Sequence, residues 1–194
     1  MSNFFDILAK YSTWEHVSNG CDKNTHHSYG DTYEKILNNL KDKQDIDILE
    51  IGISSGAFLQ VMSELLPNAN IYGIDTSLEC IKFGKDNPKI HMFQMDGTNE
   101  ESATIIGKHY DLITDDASHN PLSQIRSFEI FAPYIKNGGT YIIEDIQPNI
   151  DKQYFQNSLR SIASKNNMDM EWLDLSHVKN TIDDILVIFT KTSD

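Results

Sequence analysis

Asp115, Asp116 and His119 crowd one short stretch of this 194-residue chain, and Glu144-Asp145 form a second acidic pair further on. If both stretches end neighbouring strands, four carboxylates meet at one sheet edge and repel unless a pKa rises or a cation binds. Hard oxygen ligands suit Mg²⁺ or Mn²⁺. A histidine titrating near neutrality could there take a proton from a hydroxyl. A second constellation precedes this one in Glu50-Ile51-Gly52-Ile53-Ser54-Ser55-Gly56. Glycines where a strand turns into its helix let backbone approach a ligand closely. The Gly-x-x-x-Gly spacing departs from the Gly-x-Gly-x-x-Gly loop that seats a pyrophosphate, and Glu50 beside it suits a cationic ligand. Asp75 ends the next apolar run, where a carboxylate can bridge two ribose hydroxyls. Asp96-Gly97 follows the third run, within reach of an adenine amine.

Alternating apolar runs and helical periods must position these groups. Residues 46–51 read as a first buried strand and 58–66 as its helix, stopped by Pro67. The pattern continues with a strand at 70–74, a helix at 78–85, a strand at 90–95, a helix at 100–107 and a strand at 110–114. A helix over 121–135 then runs into a stop turn at Asn137-Gly138-Gly139 and a fifth strand at 140–143. A helix at 152–166 and two β-like runs, 170–175 and 185–190, complete the alternation of an α/β fold with a largely parallel sheet. Residues 1–44 read as a helical cap over the carboxyl edge and 45–194 as the core of a single domain.

Composition narrows the partners. The formal net charge of −13 repels phosphate backbones and anionic lipid, so neither nucleic acid nor membrane is expected. No apolar run approaches the ~18 residues of a membrane span, and without a secretory signal a cytoplasmic location is expected. Cys21 and Cys80 read as reduced packing thiols. His26 and His27 read as surface residues, His16, His91, His109 and His177 as structural, and Trp14 and Trp172 as packing aromatics.

Through Asp47 to Gly52, Gly56, Ile74-Asp75 and Met95-Asp96, the chain resembles class I S-adenosylmethionine-dependent methyltransferases. The resemblance implies a Rossmann-like, mostly parallel seven-stranded sheet with a C-terminal antiparallel hairpin and helices on both faces. It also implies a cofactor site built from Glu50, Gly52, Ser54 and Gly56, with Asp75, Thr76, Asp96 and Gly97 on the next strands and Asp115 and Tyr33 beside them. Asp115 to His119, followed by Gly138-Gly139 and the strand ending at Asp145, is similar to a narrower group. That group comprises the metal-dependent sugar (rhamnosyl and macrolide-sugar) O-methyltransferases and the cephalosporin-hydroxylase-like proteins. This second resemblance implies Asp116, Glu144 and Asp145 as ligands of Mg²⁺ or Mn²⁺, and His119, assisted by Asp116, as general base. It further implies a sugar hydroxyl of a glycan or glycosylated small molecule as acceptor, and leaves homo-oligomerisation open. The segment Asp22 to Glu34 also looks like one those enzymes carry, lining the cofactor or acceptor pocket.

Other readings stay open at this level. Asp115-Asp116 could cap the next helix, with Ser118 or Asn120 as N-cap, and Glu144-Asp145 could be solvated turn residues. A catechol-type methyltransferase, a nicotinamide-dependent oxidoreductase and a non-catalytic cofactor-binding module remain alternatives.

Overall fold

The computed structural model describes residues 3–12 and 20–192; Trp14 and His16 lie outside the described residues. Seven strands form one sheet: β1 (Ile46–Ile51), β2 (Ala69–Asp75), β3 (Ile90–Gln94), β4 (Tyr110–Asp115), β5 (Ile135–Ile143), β6 (Met168–Asp174) and β7 (Ile185–Lys191). Their order is β3-β2-β1-β4-β5-β7-β6. The first five run parallel, and β7 enters antiparallel between β5 and β6. The mostly parallel seven-stranded architecture with its closing antiparallel pair is the one that the resemblance to class I methyltransferases implies.

Strand alternation sends neighbouring residues to opposite faces, and both faces are apolar because both are covered by helices. Ile48, Leu112, Ile142 and Leu186 join one core with α1 (Phe4–Tyr11), α2 (Gly30–Asn38) and α3 (Ala57–Leu65). Leu49, Ile113, Ile143 and Val187 join a second core, shared with α4 (Glu100–Ile106), α5 (Pro121–Phe131) and α6 (Lys152–Lys165). A short α7 (Ser176–Lys179) precedes β7. Glu50 follows Ile46 and Ile48 in the alternation and so points to the α3 face. Strand order reverses between β1 and β4, and that divergence opens the crevice at their carboxyl ends where open α/β sheets take ligands.

Two elements differ from the sequence reading. Residues 78–85 form turns instead of a helix. The amides of Lys82 and Phe83 donate to Ser55 O at 2.8 and 3.1 Å, so the segment is pulled onto the glycine loop in place of closing its own helical turns. The helix begun at Pro121 ends at Phe131 and a 3₁₀ turn carries the chain to Tyr134. Asn137-Gly138-Gly139 then lies inside β5, as an irregularity that shifts the register against β4. Cys21 is a buried free thiol as expected, whereas Cys80, set in the turn segment, is exposed. Trp172 packs edge-on against Phe155. Among the described residues no helix is long and apolar enough to cross a membrane.

Candidate active site

The glycine loop is locked by geometry that side chains would spoil. Gly52 has φ +85°, and a Cβ there would lie 2.3 Å from Asp116 O and 2.5 Å from Ala117 Cα. The β1 and β4 loops therefore touch backbone to backbone. Gly56, at φ +79°, is the N-cap of α3. Asp75 knits the loop to β2: Oδ2 accepts from the amides of Ile53 and Ser54 at 3.0 and 3.1 Å, and Oδ1 from Ser77 N at 3.1 Å. At the end of β3, Asp96 Oδ1 accepts from Thr98 N and Oγ1 at 2.8 and 2.7 Å. These two bonds hold its carboxyl below the usual value.

A cavity of about 380 Å³ opens over these strand ends, lined by Gly52, Ser54, Asp75, Thr76, Asp96, Gly97, Asp115 and Asp116. A second cavity, of about 220 Å³, shares Gly52, Ser54 and Asp116 with it and reaches Glu50, Lys23 and His119. Glu50 is buried, pushed up to about 8 by burial, and its Oε2 has no hydrogen-bond partner among the described residues. Gln124 Oε1, on the wall of the larger cavity, is also unpartnered. Buried polar atoms without partners are costly, so both cavities fit a ligand that supplies donors. Gly56 and Tyr33 line neither cavity. Gly56 acts on backbone shape, and the Tyr33 hydroxyl donates to Glu144 Oε1.

The acidic cluster forms where β4 and β5 end. Asp115 is buried and pushed up to about 7 by that burial, although Tyr141 donates to its Oδ2 at 3.2 Å. Asp116 Oδ1 lies 3.1 Å from His119 Nε2, and its Oδ2 accepts from Lys23 Nζ at 2.8 Å. Burial opposes ionisation of Asp116, but Lys23 and His119 outweigh it and hold the carboxyl at about 2. The bond to Asp116 in turn raises the His119 imidazole, with burial opposing. Asp145 Oδ2 sits 3.6 Å from His119 Nε2, and its Oδ1 accepts from Tyr29 at 2.6 Å. His119 and Asp145 both adopt positive φ, at 52° and 54°. Strain of this kind is characteristic of functional sites. Asn120 is the N-cap of α5, accepting from Leu122 and Ser123, so neither aspartate is needed for capping.

Asp116, His119 and Asp145 present ligand atoms within 4.8 Å of one another. The two carboxylates of this group fit a divalent cation that keeps several waters, with the His119 imidazole beside them. Glu144 stands apart from the group: both of its oxygens accept from Lys23 Nζ, at 2.7 and 2.8 Å.

Sequence reasoning missed Lys23, whose side chain is buried at 1% exposure. Burial works against its charge, yet Asp116 and Glu144 outweigh that and hold the ammonium well above the usual lysine value. The signal available was a lone cation in the Asp22–Glu34 segment, within a chain that places four carboxylates together. His27 is a correction: His26 is exposed, but His27 is buried. Its ring stacks on Tyr29, and its Nδ1 lies 3.3 Å from Asp184 and 3.4 Å from Asp145. The fully buried Asp184 was missed as well. Its oxygens accept from Ser28 N, tying the segment before α2 to the strand end.

The family described as FtsJ-like methyltransferase matches residues 31–164. The chain is 29% identical over 132 residues to the 8-demethyl-8-(2-methoxy-alpha-L-rhamnosyl)-tetracenomycin-C 3'-O-methyltransferase of Streptomyces olivaceus, covering 62% of this chain and 32% of that protein. It is 28% identical over 130 residues to the mycinamicin VI 2''-O-methyltransferase of Micromonospora griseorubida, with the same coverage of 62% and 32%. It thus spans about a third of the length of these relatives. Among solved structures, the MycE methyltransferase from the mycinamycin biosynthetic pathway, in complex with Mg and SAH, superposes with a TM-score of 0.73 at 20% identity. That match covers 100% of this chain and 56% of the other. The Methanococcus jannaschii fibrillarin pre-rRNA processing protein gives 0.60 at 18% identity, covering 77% and 67%. At these identities the structural likeness shows a shared fold.

Proposed function

The chain belongs to the FtsJ-like methyltransferase family, and from that premise we propose that it transfers a methyl group from S-adenosylmethionine to a sugar hydroxyl. The acceptor is a glycan or a glycosylated small molecule, and the reaction is assisted by Mg²⁺ or Mn²⁺. Sequence relatives named for rhamnosyl and macrolide sugars support the acceptor class, and MycE, solved with Mg and SAH, supports the cofactor and the ion.

The chain's own residues divide the work. The Gly52 turn brings backbone to the methionine part of the cofactor, whose ammonium supplies Glu50 with the missing partner. Asp75 takes the ribose hydroxyls, Asp96 with Gly97 the adenine, and Thr76, Ser54 and Asp115 complete the walls of the larger cavity. Tyr33 contributes through Glu144, which its hydroxyl holds. The cation, held by Asp116 and Asp145 with Glu144 in reserve, would lower the pKa of an acceptor hydroxyl and fix its direction. His119, whose Nε2–H donates to Asp116 Oδ1, receives the hydroxyl proton at Nδ1 as the acceptor oxygen forms its bond to the methyl carbon. The carbon–sulfur bond breaks with its electrons passing to sulfur, which leaves as a neutral thioether. Asp116 and Asp145 orient the imidazole for this step.

The observation that carries this reading is the placement of His119, 3.1 Å from Asp116 and 3.6 Å from Asp145, on a cavity that shares its wall with the larger cavity over β1–β4. The test is transfer of labelled methyl from S-adenosylmethionine to rhamnosyl and macrolide-sugar acceptors, with catechol as comparison and with Mg²⁺ or EDTA. Sugar products that need the ion, and that fall about 10²-fold or more in His119→Gln, are expected. Labelled catechol with unlabelled sugars would replace this acceptor class.

A further inference from the structure

Lys23 raises a question the methyl-transfer reading does not answer: why an ammonium occupies a cluster suited to a divalent ion. Its three protons have three acceptors within 2.8 Å, namely Asp116 Oδ2, Glu144 Oε1 and Glu144 Oε2. The stem is enclosed, with the Phe58 and Tyr33 rings 4.8 and 5.5 Å from Nζ. The backbone around it is fixed: Asp22 O accepts from the amides of Thr25, His26 and His27, and Lys23 O from Tyr29 N. This is a seated group, not a surface lysine folded inward. Glu144 is saturated by it, since Oε1 also takes the Tyr33 hydroxyl and its carbonyl takes Gln124 Nε2 at 2.8 Å. What remains free toward His119 is Asp116 Oδ1 and Asp145 Oδ2.

Resting on the metal-assisted reading, we propose that Lys23 is a resident counter-cation that keeps Glu144 out of the divalent-ion shell and competes with the ion for Asp116. By occupying both Glu144 oxygens and Asp116 Oδ2, Lys23 selects which carboxylates meet the ion. Lys23 acts through these carboxylates and is a positioning residue.

The test is Mn²⁺ titration of the full chain, read by loss of the free-ion electron paramagnetic resonance signal, in wild type, Glu144→Gln, Asp145→Asn and Lys23→Met. Glu144→Gln should bind within about threefold of wild type and Asp145→Asn about tenfold or more weaker. Lys23→Met should bind about tenfold tighter, the scale on which groups around a metal site tune affinity. A tenfold loss in Glu144→Gln would make Glu144 a ligand and overturn the proposal, as would unchanged or weaker binding in folded Lys23→Met. If Lys23→Met does not fold, by circular dichroism, the two carboxyl variants decide. Native chain that binds while Lys23→Met binds no tighter refutes the role of Lys23 and leaves the metal-assisted reading standing. Binding by Lys23→Met alone upholds the competition and refutes metal assistance in the native chain, and no binding by either refutes both.

Discussion

Substituting Gly52 by alanine separates backbone strain from steric contact. Two costs follow from the structure. An L-residue held at φ +85° pays about 1–2 kcal/mol for the left-handed conformation. The added Cβ would also stand 2.3 Å from Asp116 O and 2.5 Å from Ala117 Cα, both backbone atoms of another strand end. Forcing them apart costs a further 1–3 kcal/mol or so, as for an overpacked core. Gly107 is the control: its φ is +62°, but a Cβ there meets nothing closer than Thr104 O at 3.5 Å, so Gly107→Ala should show the conformational cost alone. In a chain of this length about 1 kcal/mol moves Tm by ~2–4 °C. Gly52→Ala should therefore melt roughly 2–12 °C below Gly107→Ala in thermal denaturation followed by circular dichroism. The same displacement distorts the Gly52 turn on the wall of the larger cavity, so cofactor binding should weaken in Gly52→Ala and stay at the wild-type level in Gly107→Ala. Equal melting temperatures for the two variants would refute the claim that the β1 and β4 loops are in backbone contact.

Three further outcomes follow from the site's electrostatics. Because burial lifts Asp115 from 3.8 to about 7, the folded state binds its proton more tightly than the unfolded chain. The stability this gives is full below pH 3.8 and lost as pH rises towards 7. Asp115→Asn should flatten the fall in Tm over that window, measured without divalent ions. His119 is raised above 6.5 chiefly by its bond to Asp116, so its contribution is present below pH 6.5 and lost above its folded value. Asp116→Asn should shift the imidazole titration downwards in an NMR pH series, and an unchanged midpoint would remove Asp116 as the cause. Thr98→Val deletes the hydroxyl donor to Asp96 and should raise that carboxyl towards its ordinary value, seen in the side-chain carbon shifts.

Much of this fold is legible in the chain because its signals are local. Ile46 to Ile51 and Tyr110 to Asp115 are rich in Ile and Leu, as strands buried on both faces are, and they lead into Gly52 and into Asp115-Asp116. The failures come from tertiary contacts that no local pattern records. Leu78 and Ile81 have a helical spacing, but the hydrogen bonds from Lys82 and Phe83 to Ser55 override it. His27 lies in a polar segment, and only the folding of that segment across the strand ends shows that Asp184 and Asp145 flank it. Lys23 is a lone cation in the sequence, and its three acceptors come from residues 93 and 121 positions away. The cluster residues themselves were readable because adjacent strand ends bring them together. How the charges pair within that cluster was not, because pairing depends on where one lysine side chain lands.

Calorimetric titration of S-adenosylmethionine into wild type, Asp75→Ala and Asp116→Ala, with and without Mg²⁺, tests the central claim most directly. The account predicts binding by wild type, loss in Asp75→Ala and retention in Asp116→Ala, because one carboxylate serves the cofactor and the other the reacting hydroxyl. Absence of binding to wild type, or equal binding by wild type and Asp75→Ala, would contradict it.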